Sequence, residues 1–225
     1  MFDFDRVLDP KPMNRETGWE RLADGSLLVS VRTDMHGITG EMFHWWFTSR
    51  PLSREYRWWH PFDHHHSEWV GGTEGAVPGS MHVIVEDMNE LKRLPLRVQF
   101  IEPTDLVSAE KLAAARKARH VSVIIAGRTA DGHDGSRDAE GNLLGGRLLH
   151  TGRDTSWGMV LRSRFLIGSD LTKELSPEQI AQSVGDEIGP NLVQHCYEEF
   201  TYLSRILPSL YLAEGSADAS RVEIW

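Results

Sequence analysis

Asn191-Leu-Val-Gln-His-Cys-Tyr-Glu-Glu-Phe-Thr-Tyr-Leu-Ser-Arg-Ile-Leu207 is the stretch on which the fold turns. At about 100° per residue, Leu192, Cys196, Phe200, Leu203, Ile206 and Leu207 gather on one face of a helix. With Leu192 set at 0°, Cys196, Leu203 and Leu207 stand at about 40°, 20° and 60°. Glu199 stands at about 340° and His195 at about 300°, beside Ile206. A carboxylate therefore points into the apolar face with an imidazole one turn before it, whereas Glu198 faces outward. Burying an unpaired carboxylate costs several kcal/mol, so Glu199 needs a cation or a shifted pKa. Pro190 opens this helix and Pro208 is expected to close it. Ahead of it, Ser176-Pro-Glu-Gln reads as an N-cap with Pro at the first helical position.

What such a helix packs against is set by the middle of the chain. Gly25 to Asp34 is rich in β-branched residues and reads as a first strand. Thr39 then caps a helix-compatible aromatic run to Phe47. A Pro- and Gly-punctuated loop is expected from Arg50 to Gly79. Strands are expected at Ser80–Glu86, Leu96–Ile101 and Val121–Ala126, with two more between Gly146 and Gly168 after a polar turn region. Strands in the middle and a long helix at the end predict an α+β fold, a curved antiparallel sheet packed on the C-terminal helix. Residues 1–24 read as an irregular lead-in, 25–211 as the domain and 212–225 as a C-terminal tail.

Composition narrows the function classes. The chain has 225 residues, with 24 Lys+Arg against 33 Asp+Glu for a net charge of −9, and 40% hydrophobic residues. Disorder and fibrous repeats are excluded by that balance. One Cys forms no internal disulfide. The acidic charge without a Lys/Arg block argues against nucleic acid and anionic membranes as partners. Acidic residues at Met1-Phe-Asp-Phe-Asp-Arg do not suit a signal peptide, and no apolar run is long enough to span a bilayer, so a cytoplasmic protein is expected.

An i, i+4 pair such as His195 and Glu199 can hold one metal between two side chains, as the two His of a zincin helix do. The plain alternative is an ion pair or a hydrogen bond on the helix surface. Further ligands are available upstream. Tyr56-Arg-Trp-Trp-His-Pro-Phe-Asp-His-His-His-Ser67 carries His60, His64, His65 and His66, either as ligands or as an idle exposed loop. His60 precedes Pro61 and is biased to an extended conformation. Strand alternation would put His64 and His66 on one side and His65 on the other. In Met81-His-Val-Ile-Val-Glu-Asp87, period two places His82, Ile84 and Glu86 on one face, making Glu86 a second candidate buried carboxylate. His150 ends an apolar run, as a proton donor at a pocket mouth or as a satisfied core histidine.

Taken together, Tyr56-x-x-Trp59-His60-Pro61-x-Asp63-His64, Glu86, His150 ahead of Arg153-Asp154-Thr155, Leu161-Arg-Ser-Arg-Phe165, and His195-Cys-Tyr-Glu-Glu199 resemble the 2,4-diacetylphloroglucinol hydrolase family, which includes phloretin hydrolase. Order and spacing match from about residue 25 to residue 211. The resemblance implies a helix-grip (Bet v 1-like) domain holding one divalent metal, usually zinc (Zn2+), on two His and two Glu. It implies hydrolysis of the carbon–carbon bond between an acyl group and a phenolic ring by a metal-activated water, on a small aromatic ketone, in a homodimer. Carried over residue by residue, the ligands are His195, Glu199, Glu86 and His64, with His60 as the alternative to His64. Tyr56 and His150 match positions that contact substrate or relay protons.

Ser67 stands where the family has a substrate-binding amide and Phe165 where a hydrogen-bonding Tyr can occur; with Tyr56 and His60, whose motif has two family-like His, they are the candidate substrate contacts. Mixed nitrogen and oxygen ligands also suit Fe, Mn or Co. Two other readings share these residues: a helix-grip binding protein for aromatic or polyketide compounds, and a metal enzyme performing another reaction on them. Cys196 reads as packing.

Overall fold

Hydrophobic alternation along the middle of the chain builds one antiparallel sheet, which the computed structural model describes, with its helices, over residues 2–215. The strands are β1 (Gly18–Arg21), β2 (Leu27–His36), β3 (His64–Gly71), β4 (Ser80–Met88), β5 (Leu91–Ile101), β6 (Val123–Asp131), β7 (Gly146–Thr155) and β8 (Gly158–Ile167). Their spatial order is β1-β2-β8-β7-β6-β5-β4-β3. The helices are α1 (Gly40–Thr48), α2 (Ser53–Trp59), α3 (Ala109–Lys117), α4 (Pro177–Ser183) and α5 (Ile188–Leu210). The curved sheet wraps α5, which packs on β1, β2 and β4 and against α1 and α2. This is the curved antiparallel sheet on a long C-terminal helix that the last helix and the central strands predict, in the helix-grip (Bet v 1-like) arrangement that the resemblance implies.

Two apolar layers hold the sheet. On the α5 side, Val29, Phe43, Phe47, Trp59, Phe100, Phe165, Phe200 and Leu203 belong to one core. On the other side, Leu28, Ile124, Leu149 and Leu166 pack with α3 residues and with Phe4, Val7 and Leu8. β8 is buried along nearly its whole length because both faces are covered, so it reads as a continuous run and not as an alternation. β4 alternates strictly, with Ser80, His82, Ile84, Glu86 and Met88 inward. The β7–β8 turn requires Gly158, at φ +146°, where a Cβ would overlap the Met35 carbonyl oxygen.

Several expectations are corrected. The lead-in contains a 3-10 turn (Phe4–Leu8) and the edge strand β1. Arg162 fastens this segment to the sheet through the Asp9 and Lys11 carbonyls and the Glu16 carboxylate at 2.6–2.8 Å. The span from Arg50 to Gly79 is not all loop: it contains α2, which lacks a side-chain cap and is held by burying Tyr56 and Trp59, and then β3. Pro208 does not close the last helix. It lies within α5, two residues before the helix ends, with Leu203 and Leu207 buried ahead of it. The Tyr211 N–H then bonds the Leu207 and Pro208 carbonyls as the chain enters a π turn (Tyr211–Gly215). Most of the expected tail, residues 216–225, lies outside the described residues. Among the described residues, no helix is long and apolar enough to cross a membrane.

Candidate metal centre

Three elements converge on one buried point. β4 turns Glu86 inward, and His64, at the start of β3, is its register partner. A bulge between His64 and His66 then re-phases β3. His64 and Ser67 are buried while His66 is exposed, so His64 and His66 do not share a side as simple alternation predicts. From the opposite wall, α5 delivers His195 and Glu199, both buried as the helical wheel requires of Glu199. α2 adds Tyr56, whose ring stacks on His64 at 3.7 Å and whose hydroxyl donates to Glu86 Oε2.

His64 Nε2 lies 3.7 Å from Glu86 Oε2 and 3.8 Å from Glu199 Oε2, and His195 Nε2 lies 3.6 Å from Glu86 Oε1. These separations are too long for hydrogen bonds. Donor atoms held about 2.0–2.2 Å from a tetrahedral ion stand about 3.3–3.6 Å apart, which is close to what is seen. His64 Nε2 is sealed from solvent and has no hydrogen-bond partner. An orphaned acceptor beside two buried carboxylates fits a cation, and His64, His195 and Glu199 bring ligand atoms within 4.8 Å of one another.

Tautomers separate His64 from His60. The Tyr56 carbonyl, 2.9 Å away, accepts from His64 Nδ1–H, and the Asp63 carboxylate, 3.1 Å away, accepts from His195 Nδ1–H. Both rings therefore turn Nε2 to the centre, bare on His64 and, on His195, freed once that ring gives up its second proton. His60 is the reverse. The Asp63 backbone N–H donates to its Nδ1 at 3.1 Å, so Nε2 carries the hydrogen, 3.7 Å from Asp63 Oδ2 and 3.6 Å from Glu198 Oε2, and it too is buried without a hydrogen-bond partner. His60 stacks on His195 at 5.1 Å and buttresses that ring. The sequence reading did not assign Asp63 a task, although it directly precedes His64. It orients a ligand histidine, as the outer partners of metal-bound imidazoles do.

The electrostatics describe a site short of positive charge. Burial, reinforced by Glu86, pushes Glu199 up to about 8, against the pull of His195. Burial also raises Glu86. His195 is raised to about 9, because Glu86, Asp63 and Glu199 outweigh its burial. His64 is driven well down by burial and by His195. Tyr56 is pushed well up by burial and Glu86, and keeps its proton. Two carboxylates and two neutral imidazoles around a dication make a locally neutral set, which removes the penalty of leaving Glu86 and Glu199 charged.

The cluster forms part of the wall of a cavity of about 520 Å³ that is otherwise largely aromatic and aliphatic. Tyr56, His150 and Phe165 line it with Glu86, His195 and Glu199. His150 Nδ1 bonds Ser163 Oγ at 2.8 Å, and burial lowers its pKa to about 3, so the ring is neutral. Phe165 packs edge-on to it at 5.6 Å. Ser67 and His60 do not line the cavity. The Ser67 hydroxyl donates to the Pro51 carbonyl and pairs with His82 Nε2. His82 does line the cavity, and strand alternation had already set it beside Glu86.

A sheet gripping a long helix around an apolar cavity, with Glu86, His195 and Glu199 in its wall and His64 buried beside them, defines a helix-grip protein with a candidate mononuclear metal centre. Residues 1–212 match the family described as DAPG hydrolase PhiG domain, and the chain belongs to that family. It is 28% identical over 213 residues to the phloretin hydrolase of Eubacterium ramulus, covering 88% of this chain and 72% of that one. It is 25% identical over 239 residues to a 2,4-diacetylphloroglucinol hydrolase of a Pseudomonas species, covering 96% and 78%. Among solved structures, protein Ms6760 of Mycobacterium smegmatis aligns with a TM-score of 0.48 at 9% identity, over 86% of this chain and 98% of that one.

Two outcomes follow for metal uptake. Asp63→Asn should weaken zinc affinity about 10- to 100-fold without unfolding the protein, because His195 loses its carboxylate partner; unchanged affinity in a chelator competition contradicts the role. At pH 7, Glu199 (about 8) and His195 (about 9) hold protons that a metal must displace. Zinc affinity should therefore rise as pH goes from 7 to 9, with proton release visible calorimetrically in buffers of different ionisation enthalpy. An affinity flat with pH contradicts this.

Proposed function

We propose that the protein is a metal-dependent hydrolase that cleaves the carbon–carbon bond between an acyl group and a phenolic, phloroglucinol-like ring. The observation that carries this reading is the orphaned Nε2 of His64, facing Glu86 and Glu199 beside an aromatic-lined cavity. Family membership supports the reaction class, and the names of the relatives supply the substrate class.

His64, Glu86, His195 and Glu199 are the residues that would hold the ion, with zinc first among the candidates. When bound, a divalent ion there would polarise the acyl carbonyl and lower the pKa of a water. The overall change is aryl ketone plus water to arene plus carboxylic acid, so the ring carbon must gain a proton as the acyl group departs. The chain's part is to position the ring and move that proton. Phe47, Trp59, Phe165 and Phe200 offer flat apolar walls for the ring. Tyr56 keeps its phenolic proton at neutral pH and is already aimed at Glu86, which suits it to hold a ring oxygen or pass a proton from Oη. His150, fixed by Ser163 at Nδ1, is assigned proton transfer or a phenol contact at Nε2. The neutrality of this ring at pH 7 means that it works as a neutral donor or acceptor and not as an imidazolium.

The test is to incubate zinc-loaded protein with acylphloroglucinols and with aryl esters and to identify the products. Release of the carboxylic acid together with the deacylated phenol is expected, and it should vanish in Glu199→Ala together with bound metal. Binding of the acylphenol without cleavage would mark a ligand-binding protein. Cleavage of esters alone would mark a different hydrolase.

A further inference from the structure

His82 is a buried imidazole outside the metal cluster whose bonding pattern points to a ligand. It sits on the inward face of β4, four residues before Glu86, is 3% exposed, and lines the cavity. Its Nε2 is 2.7 Å from Ser67 Oγ, and that hydroxyl gives its single proton to the Pro51 carbonyl at 2.6 Å. Ser67 must therefore accept from His82, which puts the hydrogen on Nε2 and leaves Nδ1 a bare lone pair. Trp69 stacks on the ring at 4.4 Å and Tyr56 packs edge-on at 5.4 Å, so the ring cannot turn freely. Among the described residues Nδ1 has no hydrogen-bond partner, and unlike His64 Nε2 it is not sealed off by protein. Burial pushes the His82 pKa down to about 3, so at neutral pH the ring accepts at Nδ1 and does not donate there.

We propose that His82 reads a phenolic hydroxyl of the substrate: Nδ1 accepts a hydrogen bond from a ring O–H and so selects free phenols over their O-alkyl ethers. Ser67 is then not a substrate contact but the support that fixes the tautomer of His82. His82 and Glu86 share one wall, their Cα atoms about 13 Å apart along the strand. Tyr56 spans the interval, its ring against His82 and its hydroxyl on Glu86. A site built to bond a hydroxyl rejects the analogue without it, because the buried polar group is left unmatched. The ligand class rests on the acylphenol reading above, and the test is chosen to separate the two.

The experiment uses zinc-loaded full chain with 15N-labelled histidine, with phloroglucinol and 1,3,5-trimethoxybenzene as probes. Neither probe carries a cleavable acyl group. Phloroglucinol should move the His82 Nδ1 resonance upfield, whereas trimethoxybenzene should not, the signal being assigned by its loss in His82→Phe. His82→Phe keeps the stack on Trp69 and should weaken phloroglucinol binding on the order of 10- to 100-fold while leaving metal content and trimethoxybenzene affinity unchanged. His82→Asn, which returns an acceptor near the Nδ1 position, should recover part of the loss. No binding of phloroglucinol, no Nδ1 shift at saturation, or an equal loss for both probes overturns the proposal. A Nδ1 shift in a protein that hydrolyses no acylphenol leaves the His82 assignment standing and removes the hydrolase reading instead.

Discussion

Two carboxylates, Glu86 and Glu199, are buried within reach of the same imidazoles, and the arrangement around them follows from that burial. Removing a carboxylate from water costs several kcal/mol unless charge or hydrogen bonds compensate. Without a cation the cluster answers with protons: Glu199 is raised to about 8 and His195 to about 9, and the Tyr56 hydroxyl binds Glu86. With a dication the same four side chains become a neutral set. The protonated arrangement leaves His64 Nε2 without a hydrogen-bond partner.

The fold serves this constraint through fixed registers. His64 faces Glu86 because β3 and β4 pair antiparallel at that point, and the bulge just beyond spends one residue to return Ser67 inward under His82. α5 is held in register with the β4–β5 turn by the Glu90 N–H on Asn191 Oδ1 at 3.1 Å and by Asn89 on Gln194 at 2.9 Å. Asn191 and His195 are one turn apart, so the bond that anchors the helix also sets the depth of its ligands. Asp63 then links the two halves, orienting His195 through its carboxylate and fixing the His60 tautomer through its backbone N–H.

Much of this was legible in the sequence because it is periodic. The wheel from Leu192 to Leu207 put Glu199 on the apolar face, and the alternation of β4 put Glu86 and His82 together. What was illegible depends on contacts distant in sequence or on single irregularities. Nothing in His60-Pro-Phe-Asp-His64 says which ring has a free Nε2, since that is decided by the Tyr56 carbonyl and an Asp63 N–H. The bulge after His64 breaks the period from which the facing of His66 was read. α2 lacks a cap and exists because Tyr56 and Trp59 are buried, and Pro208 stays within a helix whose Leu203 and Leu207 are buried. The task of Ser67 was legible only as a resemblance, and its hydroxyl turns out to be committed to Pro51 and His82.

The central claim is one mononuclear centre built from two imidazoles and two carboxylates, with Cys196, buried between the helix ligands, left out of it. X-ray absorption on the zinc-loaded protein tests it most directly. The account expects only nitrogen and oxygen scatterers at about 2.0–2.2 Å, with the outer-shell signature of two imidazoles. A sulfur scatterer at about 2.3 Å, or zinc that is not retained by the folded protein, would contradict it.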